Sequence, residues 1–179
     1  MWLKGYLDAL NSAFYPAMGE SSELIAAPMV AGLPITILWG SQTGNSEALG
    51  KKLSKTLSET GYSPTLRDMA DISPSDLTAT GHVLIITSTY GDGEPPDNAA
   101  PLHAALHAAD APQLDSVNFA VLALGDSNYP DFCKCGHDFH TRLIALGAKA
   151  LIPITESDVD YDEPFANWIA QLEKALIAA

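Results

Sequence analysis

Three short segments of the sequence carry residue types suited to holding a ligand. The first is Gly40-Ser41-Gln42-Thr43-Gly44-Asn45-Ser46, dense in hydroxyls, small side chains and free backbone N–H groups. It leads straight into a stretch with helical periodicity. Neutral donors gathered at a helix N-terminus bind phosphate with help from the helix dipole. No Lys or Arg occurs between Lys4 and Lys51, so a phosphate held here must be bound without a cation. A Walker loop is excluded, because five residues rather than four separate Gly44 from Gly50 and Lys52 stands where Ser or Thr is required. GxGxxG is also absent. Taken alone, the segment reads equally as a capped strand-to-helix turn, which the same residue types favour.

The second segment is Ser88-Thr89-Tyr90-Gly91-Asp92-Gly93-Glu94-Pro95-Pro96-Asp97-Asn98. Its glycines allow close backbone approach or positive φ, and its prolines stiffen the exit. Tyr90 would present a flat ring at a strand tip. The third segment follows Leu124 and runs Gly125-Asp126-Ser127-Asn128-Tyr129-Pro130-Asp131-Phe132-Cys133, with Tyr129 as a second ring. Singly, each is a polar turn carrying a Tyr. Together they describe a phosphate cradle beside two aromatic faces that could sandwich a planar heterocycle. Flavin mononucleotide (FMN) has that shape.

Acidic residues crowd the same segments: Asp92, Glu94, Asp97, Asp126 and Asp131. Around a flavin they would form a rim that steers a basic redox partner. Like-charge repulsion would also keep the flavin a strong reductant. The competing reading is an ordinary solubilising surface. Glu156, Asp158, Asp160, Asp162 and Glu163 form a second acidic run, read chiefly as a solvated turn. Its alternation resembles a calcium loop only superficially, since Glu163 replaces the required Gly and Ile169 the required Glu. Cys133, Cys135, His137 and His140 match no standard zinc spacing, and a helix would turn Cys135 away from the others, so no metal site is predicted. Cys133 is expected to pack near the flavin and the histidines to lie at the surface. No GxSxG elbow or other nucleophile motif occurs, and no catalytic side chain is assigned.

The elements that must position these segments follow from periodicity. Leu33–Trp39, His82–Thr89 and Val117–Leu124 are apolar runs of the kind buried on both faces of a sheet. A shorter strand is predicted near Thr65–Met69 and a last one over Ala150–Ile154. Helices are predicted over Ser46–Thr60 (closed by Gly61), Ala99–Ala109, Phe132–Leu146 and Phe165–Ile177. Alternating strands and helices imply parallel pairing with right-handed crossovers, hence an α/β, five-stranded, doubly wound sheet with helices on both faces. Ligands of such sheets sit beyond the carboxyl ends of the strands, where the three segments fall. Residues 2–14 read as a short amphipathic helix and 15–32 as a linker, leaving 33–179 as the domain. Trp39 and Trp168 are assigned to the core.

The 179-residue chain, 47% apolar, suffices for one such domain with a short appendage. Nine Lys plus Arg against 22 Asp plus Glu give a net charge of −13. That excludes nucleic acid as a partner, disfavours anionic membrane, and points to a protein with a basic face. Two cysteines cannot make a disulfide framework, which predicts a reducing, cytoplasmic setting. The uncharged stretch Leu24–Ser46 is interrupted by Pro28, Gly32 and Pro34, so no membrane helix is expected, and the N-terminus lacks a signal-peptide core.

SQTGNSEALGKKL, TSTYGDGEPPDNA and LALGDSNYPDFCKCGHDF together resemble the three FMN-binding loops of the flavodoxin-like domain of diflavin reductases. The resemblance spans about residues 33–178. LALGDSNYPDFC, the ESDVDYDEPFANWIAQLEKAL ending and the Trp-Leu-x-Gly-Tyr-Leu opening are similar to the bacterial sulfite reductase flavoprotein branch. The resemblance implies strand order 2-1-3-4-5. It implies that Ser41 to Ser46 hold the FMN phosphate, and that Ser88, Thr89, Tyr90 and Gly91 border the ring system. Leu124 to Cys133 would line its other face, with Tyr129 stacking and Asp158 approaching. The implied role is electron relay from an NADPH/FAD reductase module to a metal centre, the sirohaem sulfite reductase hemoprotein first and a soluble P450 or other haem protein second. That reductase module is expected on a separate chain or cut away, so that this chain alone does not turn over NADPH. Two other classes share the fold. A phosphoryl receiver needs an acidic cluster where Trp39-Gly40-Ser41 stands; a flavin-free interaction module would not need the three loops intact.

Overall fold

The computed structural model describes residues 32–178. The predicted helix over 2–14 and all but the last residue of the predicted linker lie outside them. Among the described residues six strands and five helices follow in the order β1 (Pro34–Gly40), α1 (Asn45–Glu59), β2 (Ser63–Asp68), α2 (Pro74–Thr78), β3 (His82–Ser88), α3 (Ala100–His107), β4 (Asn118–Leu124), α4 (Lys134–Ala145), β5 (Lys149–Ala150), β6 (Thr155–Ser157) and α5 (Asp162–Ala178). The sheet runs β2-β1-β3-β4-β5, with β6 also on β4, and every pair is parallel. This is the doubly wound architecture expected, with element ends within a few residues of those predicted.

Both faces of the central strands are buried, which is why their sequences read as continuous apolar runs rather than alternating ones. Val83 and Ile85 of β3 with Phe119, Val121 and Ala123 of β4 face α3 and α4, where Leu102, Leu106, Phe139 and Leu143 meet them. Ile35 and Ile37 of β1 with Leu84, Ile86, Ala120 and Leu122 face α1 and α5, which contribute Leu49, Leu53, Leu57, Phe165, Trp168 and Leu172. α4 can lie close against β4 because Gly136 carries no Cβ; one there would collide with that of Ala123. Trp168 is fully buried, as expected; Trp39 is only half-buried and belongs to neither cluster.

Two features differ from the expectation. The last strand, predicted as Ala150–Ile154, is two fragments on the same edge: Lys149–Ala150 pair with Asn118–Phe119, and Thr155–Ser157 with Leu122–Leu124. Pro153 sits between them and has no N–H for the ladder. The stretch between β2 and β3, for which no helix is predicted, holds a 3₁₀ turn over Met69–Asp71 and the helix α2. Pro74 opens α2, and Asp76 Oδ2 accepts from both Ser73 N–H (2.8 Å) and Ser73 Oγ–H (2.6 Å). That is the capping-box logic, with Pro pre-set for the first helical turn.

Candidate functional site

The carboxyl ends of β1, β3 and β4 are neighbours in the sheet, so the three loops that follow them converge. Between them lies a cavity of about 490 Å³. Its walls are Asn45 from the first loop, Ser88 to Gly91 from the second, and Leu124 to Asp126 with Tyr129, Asp131 and Phe132 from the third. Asp158, Val159 and Tyr161 complete it from a fourth segment, after β6. Tyr90 is 52% exposed and Tyr129 59% exposed, so both rings border the cavity largely uncovered. Large aromatic surface left bare in a concave, partly polar site marks a place built to be covered.

The first loop turns on Gly44, whose φ of +89° lies in the left-handed region. Ser41 Oγ accepts from Gly44 N–H (3.0 Å) and more loosely from Ser46 N–H (3.4 Å). The amides of Gln42, Thr43 and Asn45 donate to no protein acceptor among the described residues, at the positive end of the α1 dipole. Ser46 is fully buried, yet its hydroxyl has no partner. An orphaned buried hydroxyl beside free amides fits an anion with several acceptor oxygens. Of this loop only Asn45 reaches the cavity wall; Ser41, Gln42, Thr43, Gly44 and Ser46 stand outside it.

The second loop closes tightly. Tyr90 and Glu94 exchange backbone hydrogen bonds of 2.9 and 2.8 Å, with Gly91 and Gly93 at positive φ between them. A Cβ at Gly93 would press on Asp131 and Lys134, so its absence lets the second loop rest on the third. Thr89 Oγ1 accepts from Cys135 N–H (3.2 Å), tying the second loop to the start of α4. Gln42 and Asp97 form a reciprocal pair across the first two loops, Asp97 N–H donating to Oε1 (3.2 Å) and Nε2–H to Oδ2 (3.0 Å). Asp97 therefore binds the first loop rather than standing free in a rim.

In the third loop Asp126 Oδ1 accepts from the backbone N–H (2.9 Å) and side-chain Nδ2 (2.7 Å) of Asn128. Asp158 accepts from Ser127 N–H (3.1 Å), the Ser127 hydroxyl and Val159 N–H (2.8 Å). These donors hold the Asp158 carboxyl below the usual range. Ser127, Asn128 and Pro130 are thus scaffold or surface rather than wall. So is Cys133, which was expected near the ligand. It lies buried beneath Gly125 at a left-handed φ of +56°, and its thiol donates to Ala123 O (3.2 Å). Burial pushes the Cys133 and Cys135 thiols up to about 11, so both stay protonated and unreactive near neutrality.

Among the described residues three carboxylates, Asp126, Asp131 and Asp158, line the cavity, and no Lys, Arg or His does. Asp92 and Glu94 are exposed on the second loop. Asp158 was anticipated; Val159 and Tyr161 were missed, because the segment around them reads only as a charged turn. The Cys/His cluster disperses. Cys135 faces Thr87, His137 Nε2 lies 2.7 Å from Glu156 Oε1, and His140 packs edge-on to Phe119. His140 is half-buried with Nε2 unpartnered, against the expectation of a surface residue. Among the described residues no three such side chains converge on a metal position, and no helix is long and apolar enough to cross a membrane.

The chain is similar in sequence and fold to known proteins. The flavodoxin family model matches residues 37–168. The sulfite reductase [NADPH] flavoprotein alpha-component of Bacillus subtilis is 41% identical over 179 residues, covering 98% of this chain and 30% of that protein. Its counterpart from Shewanella oneidensis is 41% identical over 175 residues, covering 98% and 28%. The chain thus spans less than a third of these relatives' length. Among solved structures, a flavodoxin of Streptococcus pneumonia superposes with a TM-score of 0.72 at 25% identity, over 82% of this chain and 99% of that one. A variant flavodoxin of Pseudomonas aeruginosa gives 0.66 at 29% identity, over 79% and 99%.

Proposed function

Since the chain belongs to the flavodoxin family, we propose that residues 33–179 bind FMN and relay electrons from an NADPH/FAD reductase module to a metal-centre acceptor. As the acceptor we infer the sirohaem sulfite reductase hemoprotein, a reading supported by the likeness to sulfite reductase [NADPH] flavoprotein alpha-components. The observation that carries the reading is an anion cradle that adjoins the cavity through Asn45, next to two bare tyrosine rings that border it.

When bound, FMN supplies electron transfer that no side chain here could perform. The chain's own residues bind and orient. The Gln42, Thr43 and Asn45 amides and the Ser41, Thr43 and Ser46 hydroxyls hold the phosphate, with the α1 dipole in place of a cation. Tyr90 and Tyr129 offer ring faces, and Ser88, Thr89, Gly91 and Leu124 to Phe132 fix the space between. Asp126, Asp131 and Asp158 oppose accumulation of negative charge, and with Asp92 and Glu94 they attract a basic partner. Two protonated, buried thiols suit a reducing cytoplasm.

The test is to titrate the purified chain with FMN, following flavin absorbance and fluorescence, and then to supply sulfite reductase hemoprotein. Saturable binding with quenched fluorescence is expected, followed by haem reduction whose rate falls as salt screens the acids. No change on adding FMN would refute the electron-carrier reading and leave an interaction module. FMN binding with an inert hemoprotein would refute the sulfite reductase assignment alone.

A further inference from the structure

Two of the three loops meet at one carboxamide. Asn98, just before α3, accepts from Ser41 N–H through Oδ1 at 2.9 Å. Its Nδ2 donates to Trp39 O at 3.2 Å and to Asp68 Oδ1 at 2.9 Å. Asp68, the last residue of β2, accepts Ala70 N–H with that same oxygen at 2.9 Å, which fixes the carboxylate in place. One side chain therefore joins the ends of β1 and β2 to the first loop.

The direction of the amide is determined. An ionised carboxylate only accepts, and Trp39 O only accepts, so both face the NH₂ end; the oxygen is left for Ser41 N–H. Ser41 is then held from two sides. Its N–H points to Asn98, while its hydroxyl accepts from Gly44 and Ser46 on the far side of the turn. The orientation of Ser41 decides where the next amides, those of Gln42 and Thr43, aim. Neither Asn98 nor Asp68 lines the cavity, and the Asn98 carboxamide is engaged at both ends by protein groups, unlike the free amides of Gln42, Thr43 and Asn45.

We propose that Asn98, oriented by Asp68, is the positioning residue of the phosphate cradle: it sets the aim of the Ser41–Ser46 donors without touching the ligand. This rests on the FMN reading and adds to it a division of labour, in which the Asp68–Asn98 pair governs recognition of the phosphate and not of the ring system. Riboflavin, which lacks the phosphate, separates the two.

The experiment compares FMN and riboflavin binding to the full chain, to Asn98→Asp and to the double variant Asp68→Asn/Asn98→Asp. Asn98→Asp keeps the acceptor for Ser41 but sets a carboxylate against Asp68 and Trp39 O. It should weaken FMN about tenfold or more while moving riboflavin less than about twofold. The double variant restores a donor between positions 68 and 98 and should recover part of the FMN loss. Unchanged FMN affinity, or equal losses for both ligands, would overturn the proposal. Amide exchange on the unsubstituted chain gives a check independent of any variant's folding. Slow exchange at Ser41 without FMN supports the clamp, and fast exchange there overturns it. A wild-type chain that binds neither flavin brings down the FMN reading itself, a result distinct from these.

Discussion

Gly44 shows what a single residue contributes to this site. Nothing lies within 4 Å of where its Cβ would sit, so space does not forbid a side chain; the φ of +89° does. Gly44→Ala should cost about 1–2 kcal/mol, the strain of an L-residue in the left-handed region. It should appear as a lower denaturant midpoint, as weaker FMN binding, or as both. Chemistry at this scale is legible in the sequence when the parts are neighbours, as the hydroxyls, glycine and amides of 41–46 are. It is illegible when partners are distant in the chain. Ser41 and Asn98 are 57 residues apart and Asp68 and Asn98 30 apart, and no local pattern announces that they meet. Cys133 illustrates another limit. The helix predicted over Phe132–Leu146 would have enclosed it, whereas it stands just before α4 with a left-handed backbone, which an L-residue adopts only where tertiary contacts impose it.

At the scale of elements, the strands of the sheet centre were readable because burial on both faces leaves long apolar runs. The edge was not, because there packing rather than composition decides where pairing stops. Pro153 is the visible cause of the break between β5 and β6. The break matters to the site, since it delivers Asp158, Val159 and Tyr161 to the cavity. Packing also decides the sign of a substitution at Gly136. Helix propensity alone would make Gly136→Ala stabilising by about 1 kcal/mol. The new methyl would meet Ala123 on β4, however, where backbone and Cβ cannot retreat. The expected outcome is a net loss of about 1–3 kcal/mol, measured by chemical denaturation. A gain in stability would show that α4 can lift from the sheet at little cost.

For the molecule as a whole, three histidines link stability to pH. His82, His103 and His140 each have Nε2 buried with no partner at hydrogen-bond distance among the described residues, and burial lowers each pKa below the ordinary imidazole value. For His103, the neighbouring His107 lowers it further, while Asp138 at 3.6 Å opposes the shift. His137 adds to the effect at His140. A folded pKa below the unfolded one means that the unfolded chain binds protons first as the solution is acidified. The stability these groups contribute is therefore complete above about pH 6.5 and is lost as pH falls from there through the folded values. The melting temperature should drop on going from about pH 7 to about pH 5, and His140→Phe, which keeps a ring against Phe119, should flatten that slope. Asp158 acts in a lower window. Its depressed pKa gives stability present above about pH 4 and lost as pH falls further.

The outer strands of the sheet carry one more consequence. β2 holds Pro64 and Arg67, and the opposite edge is split into fragments of two and three residues around Pro153. Open sheet margins are where copies of a protein add strands to one another and precipitate. Margins that are short, charged or interrupted by proline are poor templates for such growth. The break that brings Asp158 to the cavity thus also helps keep the chain dispersed when many copies are crowded together.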